Sequence, residues 1–188
     1  MSKLDIVGLC GSLRAASWNR MVLEFAGTAM PEGMVLDIVE IRPLPMFDAD
    51  VFAQGFPAPV AALRERIRKA DGVLISTPEY NFSIPGVLKN ALDWVSRGED
   101  QPFNMKPVAI VSASPGPLGG ARVQYDLRKV LLFMNAMVLA KPEVFVGAVN
   151  TKFDANRQCT DELTRKFVTD EMRSFAAWIE GVRRMKGS

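Results

Sequence analysis

The stretch LDIVGLCGSLRAASWNRMVLEFA, residues 4–26, decides the architecture. It opens with an apolar run, Leu4 to Leu9, broken only by Asp5, and passes through a polar turn into helical spacing. Met21, Val22, Phe25, Ala26 and Ala29 fall on one face of a helix predicted over Trp18–Met30. A short, continuous apolar run of this kind reads as a strand buried on both faces. Asp5 and the glycine-containing turn argue against a secretory leader, whose apolar stretch is longer and uninterrupted.

The same alternation continues outward along the chain. Strand two is predicted at Val35–Ile41, followed by an irregular segment, Arg42–Phe56, that contains Pro43, Pro45 and Gly55. Loops of that length tend to be lids or interface elements. A helix over Pro57–Ala70 carries Val60, Leu63 and Ile67 at helical spacing, and strand three follows at Gly72–Thr77. After the turn PEYNFS comes a helix over Ile84–Arg97, then strand four at Pro107–Ser112 and a helix over Ala121–Asn135. Strand five lies within Val138–Val146, and a last helix spans Asp161–Met185 with Leu163, Phe167, Phe175, Ile179 and Val182 expected inward. Five βα units with β-branched strands imply an α/β fold, a doubly wound parallel five-stranded sheet in the order 2-1-3-4-5 with helices on both faces. A chain of 188 residues suits one domain over 1–188. In that strand order, ligands bind beyond the carboxyl ends of strands one and three. The loops Gly11–Asn19 and Pro78–Ser83 should therefore form the site, with Ser112–Gly120 closing one side.

Charge and composition remove several function classes. Lys and Arg number 23 against 21 Asp and Glu, so a net charge of +2 gives no electrostatic reason to expect nucleic acid or an anionic membrane as partner. The basic group Arg183, Arg184 and Lys186 suits the negative end of a terminal helix. Cys10 and Cys159 form no CxxC pair, which fits a reducing cytoplasm. The longest apolar stretch, Val130–Ala140, contains Asn135 and is shorter than the roughly 18 residues that a membrane helix requires. With no histidine, a Ser-His-Asp triad and the usual zinc sites are excluded in their common forms, and no metal site is expected. Hard chemistry then falls to a cofactor, with the chain supplying orientation and electrostatics.

Loop one reads GSLRAASWN, residues 11–19. A helix N-terminus offers unpaired N–H groups, Ser12, Ser17 and Asn19 add side-chain donors, and Arg14 adds a cation. The combination suits a phosphate monoester, although Ser17 can equally cap the helix. No GxxxxGK[ST] pattern follows Gly11, and GxGxxG fails because Cys10 and Leu13 stand where the second and third glycines belong. Glu40, near the end of strand two, could bind a ribose in such a fold, but an exposed strand end explains it more simply. Loop two, TPEYNFSIPG, places Tyr80, Asn81 and Phe82 beside the phosphate site, where a planar ring with a polar rim could lie; Ser83 is placed to cap the next helix. Loop three, SASPGPLGG, is rich in the small residues that let backbone approach a ligand. Cys10 reads as a buried small hydrophobe rather than a redox centre.

Three segments resemble the NADPH-dependent FMN reductases, and within them the bacterial quinone and chromate reductase group: GSLRAASWN at 11–19, TPEYNFSIPGVLKNALDW at 77–94 and GPLGGARVQYDLRKVL at 116–131. The resemblance implies a flavodoxin-like fold, non-covalent FMN, and NADPH or NADH as electron donor. Electrons would pass in ping-pong order to quinones, with chromate, azo compounds or free flavin as further acceptors. It assigns Ser12, Arg14, Ser17 and Asn19 to the phosphate, Pro78, Glu79, Tyr80 and Asn81 to the flavin ring, and Ser112 and Gly116, with Gly119 and Gly120, to the third flavin-side loop. No side chain would act as a covalent catalyst. It also implies a homodimer or homotetramer in which Arg122, Tyr125 and Glu143 join subunits, Tyr125 meeting Glu143 of a neighbour. Phe82 departs from the group, where tyrosine is common. A flavodoxin-type electron carrier serving a protein partner is the alternative, though such carriers are typically acidic and this chain is slightly basic.

Overall fold

A computed structural model of the chain describes residues 3–187; of the domain expected over 1–188, residues 1, 2 and 188 lie outside that range. Strands β1 (Leu4–Cys10), β2 (Met34–Val39), β3 (Gly72–Thr77) and β4 (Pro107–Ala113) are parallel, and with β5 (Met137–Val138) they stand in the order β2-β1-β3-β4-β5. β1 is an inner strand, pairing Leu4 with Met34 on one side and Ile6 with Gly72 on the other. This is the doubly wound order that the sequence predicts.

Alternate residues of each strand enter different cores, which is why the strands read as continuous apolar runs. On one face Ile6, Leu74, Ala109 and Val111 pack with α1 (Trp18–Thr28) and α6 (Glu162–Gly187), through Met21, Val22, Leu23, Met172 and Phe175. On the other, Val7, Leu9, Val73, Ile75 and Ile110 meet α3 (Ala58–Lys69), α4 (Gly86–Val95) and α5 (Ala121–Phe133), through Val60, Leu63, Ile67, Leu88, Trp94 and Leu127. All of β3 and β4 is buried.

Four local expectations are corrected. The fifth strand is split: β5 and β6 (Val144–Val146) both pair with β4, and the chain between them, which holds Pro142, leaves the ladder. A proline has no N–H to donate there. The segment Arg42–Phe56 contains a short helix, α2 (Ala49–Phe52), capped by Asp48 Oδ1, which accepts from Asp50 N at 2.8 Å. Ser83 does not cap α4; Pro85 occupies the cap position, and Ser83 instead bridges to Tyr80. Finally, Leu163 and Phe167 are exposed. The inward stripe of α6 runs through Thr164, Val168, Glu171, Met172, Phe175, Ile179 and Val182, so two polar residues occupy inward positions and obscure its phase.

Candidate functional site

Loop one begins where β1 and β3 crowd together. A Cβ on Gly11 would lie 2.6 Å from Thr77 Oγ1, so only glycine lets the chain turn there. Ser17 is the N-cap of α1, its Oγ accepting from Arg20 N at 3.3 Å. Around this cap the amide N–H groups of Leu13, Ala15, Ala16, Trp18 and Asn19 donate to no protein acceptor among the described residues. Ser12 Oγ accepts from Arg14 N at 3.3 Å and lies 3.4 Å from the Tyr80 hydroxyl, joining loops one and two. Arg14 is exposed. Unengaged amides at a helix start, in a loop that also carries an arginine, make a donor set that suits an anion.

The Asn19 side chain has a different task from donating to such an anion. It is 3% exposed, and its carboxamide donates to Ala113 O and accepts from Ala113 N, both at 2.9 Å, while Ser76 Oγ donates to Asn19 O at 2.8 Å. Its side chain therefore bolts α1 to β4 and β3. Cys10 is buried beside this junction, and burial pushes its thiol pKa up, in keeping with a packing role.

Loop two is a tight hairpin turn. Tyr80 N donates to Ser83 O at 3.1 Å and Ser83 N to Tyr80 O at 3.0 Å, with Asn81 at φ 50° and Phe82 at φ 65°. Both central residues are left-handed, as a type I′ turn requires, which asparagine tolerates and phenylalanine does not. The Phe82 ring is nonetheless exposed, with the Arg122 guanidinium 3.9 Å from its centroid. Glu79 is bound to α5: its Oε1 accepts from Arg122 Nε at 2.7 Å and its Oε2 from Val123 N at 3.3 Å. Arg122 thus closes an ion pair and a cation–π contact within one chain. Pro78 precedes this turn; Thr77 Oγ1 donates to its carbonyl at 3.0 Å.

Loop three is held from below. Ser112 is fully buried, its Oγ donating to Gly119 O at 2.7 Å and accepting from Gln124 Nε2 at 2.9 Å. Gly116 O accepts from Ala148 N at 3.1 Å, tying the loop to the turn after β6. Gly119 sits at φ 57°, and a Cβ there would lie 2.6 Å from the Phe145 carbonyl carbon. Tyr125 and Glu143 also come together in one chain: the Lys141 ammonium and then the Tyr125 hydroxyl hydrogen-bond Glu143 and hold its carboxyl below its ordinary pKa.

Of the residues singled out from sequence, Ser12, Arg14, Pro78, Tyr80, Asn81 and Gly116 gather at the carboxyl ends of β1, β3 and β4. The side chains of Ser17, Asn19, Glu79 and Ser112 are engaged in holding those loops. Sequence reasoning passed over a cavity of about 290 Å³ between loop one and the end of β2, lined by Arg14, Arg20, Glu24, Glu40, Arg42 and Arg157 among others. Glu40, read as a plain strand end, pairs with Arg20 at 2.8 Å. A signal was present in Arg42, a cation just past strand two, where nucleotide-binding sheets read the ribose.

Known proteins resemble this chain over most of its length. The model of the NADPH-dependent FMN reductase family matches residues 4–151. The chain is 42% identical over 184 residues to an NAD(P)H-dependent FMN reductase of Pseudomonas aeruginosa, covering 98% of both chains. It is 46% identical over 184 residues to a quinone reductase of Escherichia coli, covering 96% of this chain and 98% of the relative. Among solved structures, the flavoenzyme NAD(P)H:(acceptor) oxidoreductase of Paracoccus denitrificans superposes with a TM-score of 0.87 at 33% identity, over 95% of this chain and 98% of that one. With the switch-point loops in place and these similarities over nearly the whole length, the chain is an oxidoreductase that belongs to the NADPH-dependent FMN reductase family.

Proposed function

We propose that this chain binds FMN at the carboxyl ends of β1, β3 and β4 and reduces quinones with NADPH or NADH. The observation that carries the reading is the set of unengaged amides of Leu13, Ala15, Ala16, Trp18 and Asn19, in the loop that carries Arg14, at the point where the strand order reverses. Such a set fits a phosphate monoester, and the open face above loop two fits a flat ring. FMN, when bound, supplies the two-electron chemistry that links a nicotinamide donor to a quinone.

What the chain's own residues do follows from their positions. The loop-one amides and Arg14 hold the phosphate. The backbone of Pro78–Asn81, fixed through Glu79 to α5, sets the height of the ring. Exposed Tyr80 and Phe82 present aromatic surface where donor and acceptor stack in turn. No side chain forms a covalent bond; the task is to place reacting atoms about 3–3.5 Å apart and to keep the site shaped while substrates exchange.

Chromate, azo compounds and free flavin are further acceptors in this reading. Tyr125, Leu132 and Phe133, exposed on α5, support assembly as a homodimer or homotetramer, with Arg122, Tyr125 and Glu143 near the contact. Two unpaired, buried cysteines support a cytoplasmic setting, and among the described residues no helix is long and apolar enough to cross a membrane.

The test is direct. Purified protein should be yellow, bleach anaerobically on adding NADPH or NADH, and recolour with a benzoquinone. Yellow protein that no nucleotide bleaches would be an electron carrier, and colourless protein that takes up no FMN would end the flavin reading. Sedimentation velocity reads the assembly.

A further inference from the structure

We propose that the cavity between loop one and the end of β2 receives the ribose 2′-phosphate of NADPH, with Arg42 as the cation that recognises it. The inference rests on the reductase reading and adds to it a basis for choosing between donors.

Charge is the first argument. The cavity is lined by four arginines and two glutamates. Both carboxylates are already committed: Glu24 to Arg20 at 3.0 Å and Arg157 at 2.9 Å, and Glu40 to Arg20 at 2.8 Å. Arg14 and Arg42 have no carboxylate partner among the described residues; with Arg14 given to the flavin phosphate, Arg42 is the uncompensated guanidinium left to the cavity. Arg42 is also anchored, since its Nη2 donates to Leu13 O, and its other N–H groups donate to no protein acceptor among the described residues. Guanidinium groups bind phosphate by paired, directional hydrogen bonds.

Position is the second argument. In doubly wound sheets that carry a dinucleotide's pyrophosphate on the first loop, the residues just beyond strand two distinguish the two donors; here loop one is given to the flavin phosphate, so the parallel is one of charge and place and not of the nucleotide's path. A free acid there bonds the ribose 2′-hydroxyl, whereas an arginine accommodates the 2′-phosphate. Here the acid, Glu40, is held by Arg20, while Arg42 two residues later is free of carboxylates. The cavity takes its lining from loop one, α1, the end of β2 and Arg157, and none from loops two and three, which hold the ring in this reading. At about 290 Å³ it lies at the small end of ligand sites, about 300–1,000 Å³, which suits one end of a donor rather than a whole dinucleotide.

The experiment uses FMN-loaded wild-type protein with the Arg42→Ala and Arg42→Lys variants. Stopped-flow flavin reduction by NADPH and by NADH is followed, with calorimetric binding of 2′,5′-ADP and of 5′-AMP and a fluorescence titration of FMN. In Arg42→Ala the NADPH concentration for half-maximal reduction should rise about tenfold, as expected for one lost charge-assisted contact. NADH behaviour and FMN affinity should not move, 2′,5′-ADP binding should weaken in parallel, and Arg42→Lys should recover part of it. Equal effects on both donors, or none, would overturn the proposal. A loss of FMN affinity would assign the cavity to the flavin phosphate and overturn it as well. Were neither nucleotide to bleach the wild-type flavin while 2′,5′-ADP still bound through Arg42, the reductase reading would fail and the phosphate site would stand.

Discussion

Asn19 and Ala113 exchange two hydrogen bonds across 94 residues of chain, the carboxamide donating to Ala113 O and accepting from Ala113 N, each at 2.9 Å. Through this pair the first helix is locked to the fourth strand at the level where loops one and three emerge. Removing the carboxamide leaves two buried backbone groups unsatisfied. Asn19→Ala should therefore cost the FMN-free protein about 2–4 kcal/mol in urea denaturation. An unchanged midpoint together with weaker FMN binding would instead mean that the side chain serves the ligand.

Arg14 has the opposite character. Its side chain is exposed and, among the described residues, makes no ion pair, so Arg14→Ala should leave apo-protein stability within about 0.5 kcal/mol, the usual range for surface changes. FMN retention should fall about tenfold or more, while the reduction rate of the flavin that remains bound changes little. Equal FMN affinity in variant and wild type would remove Arg14 from the phosphate site.

Phe82 stands in the left-handed region at φ 65°, an arrangement that costs a bulky residue about 1 kcal/mol or more. Its ring carries Arg122 at 3.9 Å, worth about 0.5–1 kcal/mol at an exposed site. Because these oppose each other, Phe82→Gly should change stability by less than about 1 kcal/mol. The KM for a hydrophobic quinone should nevertheless rise severalfold, since aromatic surface is lost from the open face. A stable variant with an unaltered quinone KM would show that the ring does not touch the acceptor.

Lys106 provides a pH signature away from the site. It is 7% exposed at the start of β4, donating to Arg68 O at 3.1 Å and to Ala70 O, and burial followed by the charge of Lys186 lowers its pKa from 10.5 to about 8. Between these values the unfolded chain holds a proton that the folded chain has released. Stability from this group is therefore complete above about pH 10.5 and is lost as pH falls through about 8. Relative to Lys106→Met, the wild type should gain stability with rising pH in that window, at no more than about 1.4 kcal/mol per pH unit. Parallel pH profiles for the two proteins would refute the assignment.

The sequence by itself determined the sheet order and, with it, the point where that order reverses. Continuous apolar runs such as Leu4–Cys10 can be satisfied only between two helical layers, and short right-handed crossovers then leave few arrangements. The GSLRAASWN turn was legible for a similar reason, because a helix start is an anion site wherever it lies. Tertiary structure alone decided which polar side chains are taken up by protein partners. Asn19, Ser112 and Glu79 look like binding residues in sequence, yet Ala113, Gly119 and Arg122 claim their hydrogen bonds. Arg42 acquires its setting only when β2 lies beside β1 and loop one folds over it. Hydrophobic period reports which face of an element is buried, but hydrogen-bond partners and uncompensated charges depend on residues tens of positions apart, whose proximity exists only in the folded chain.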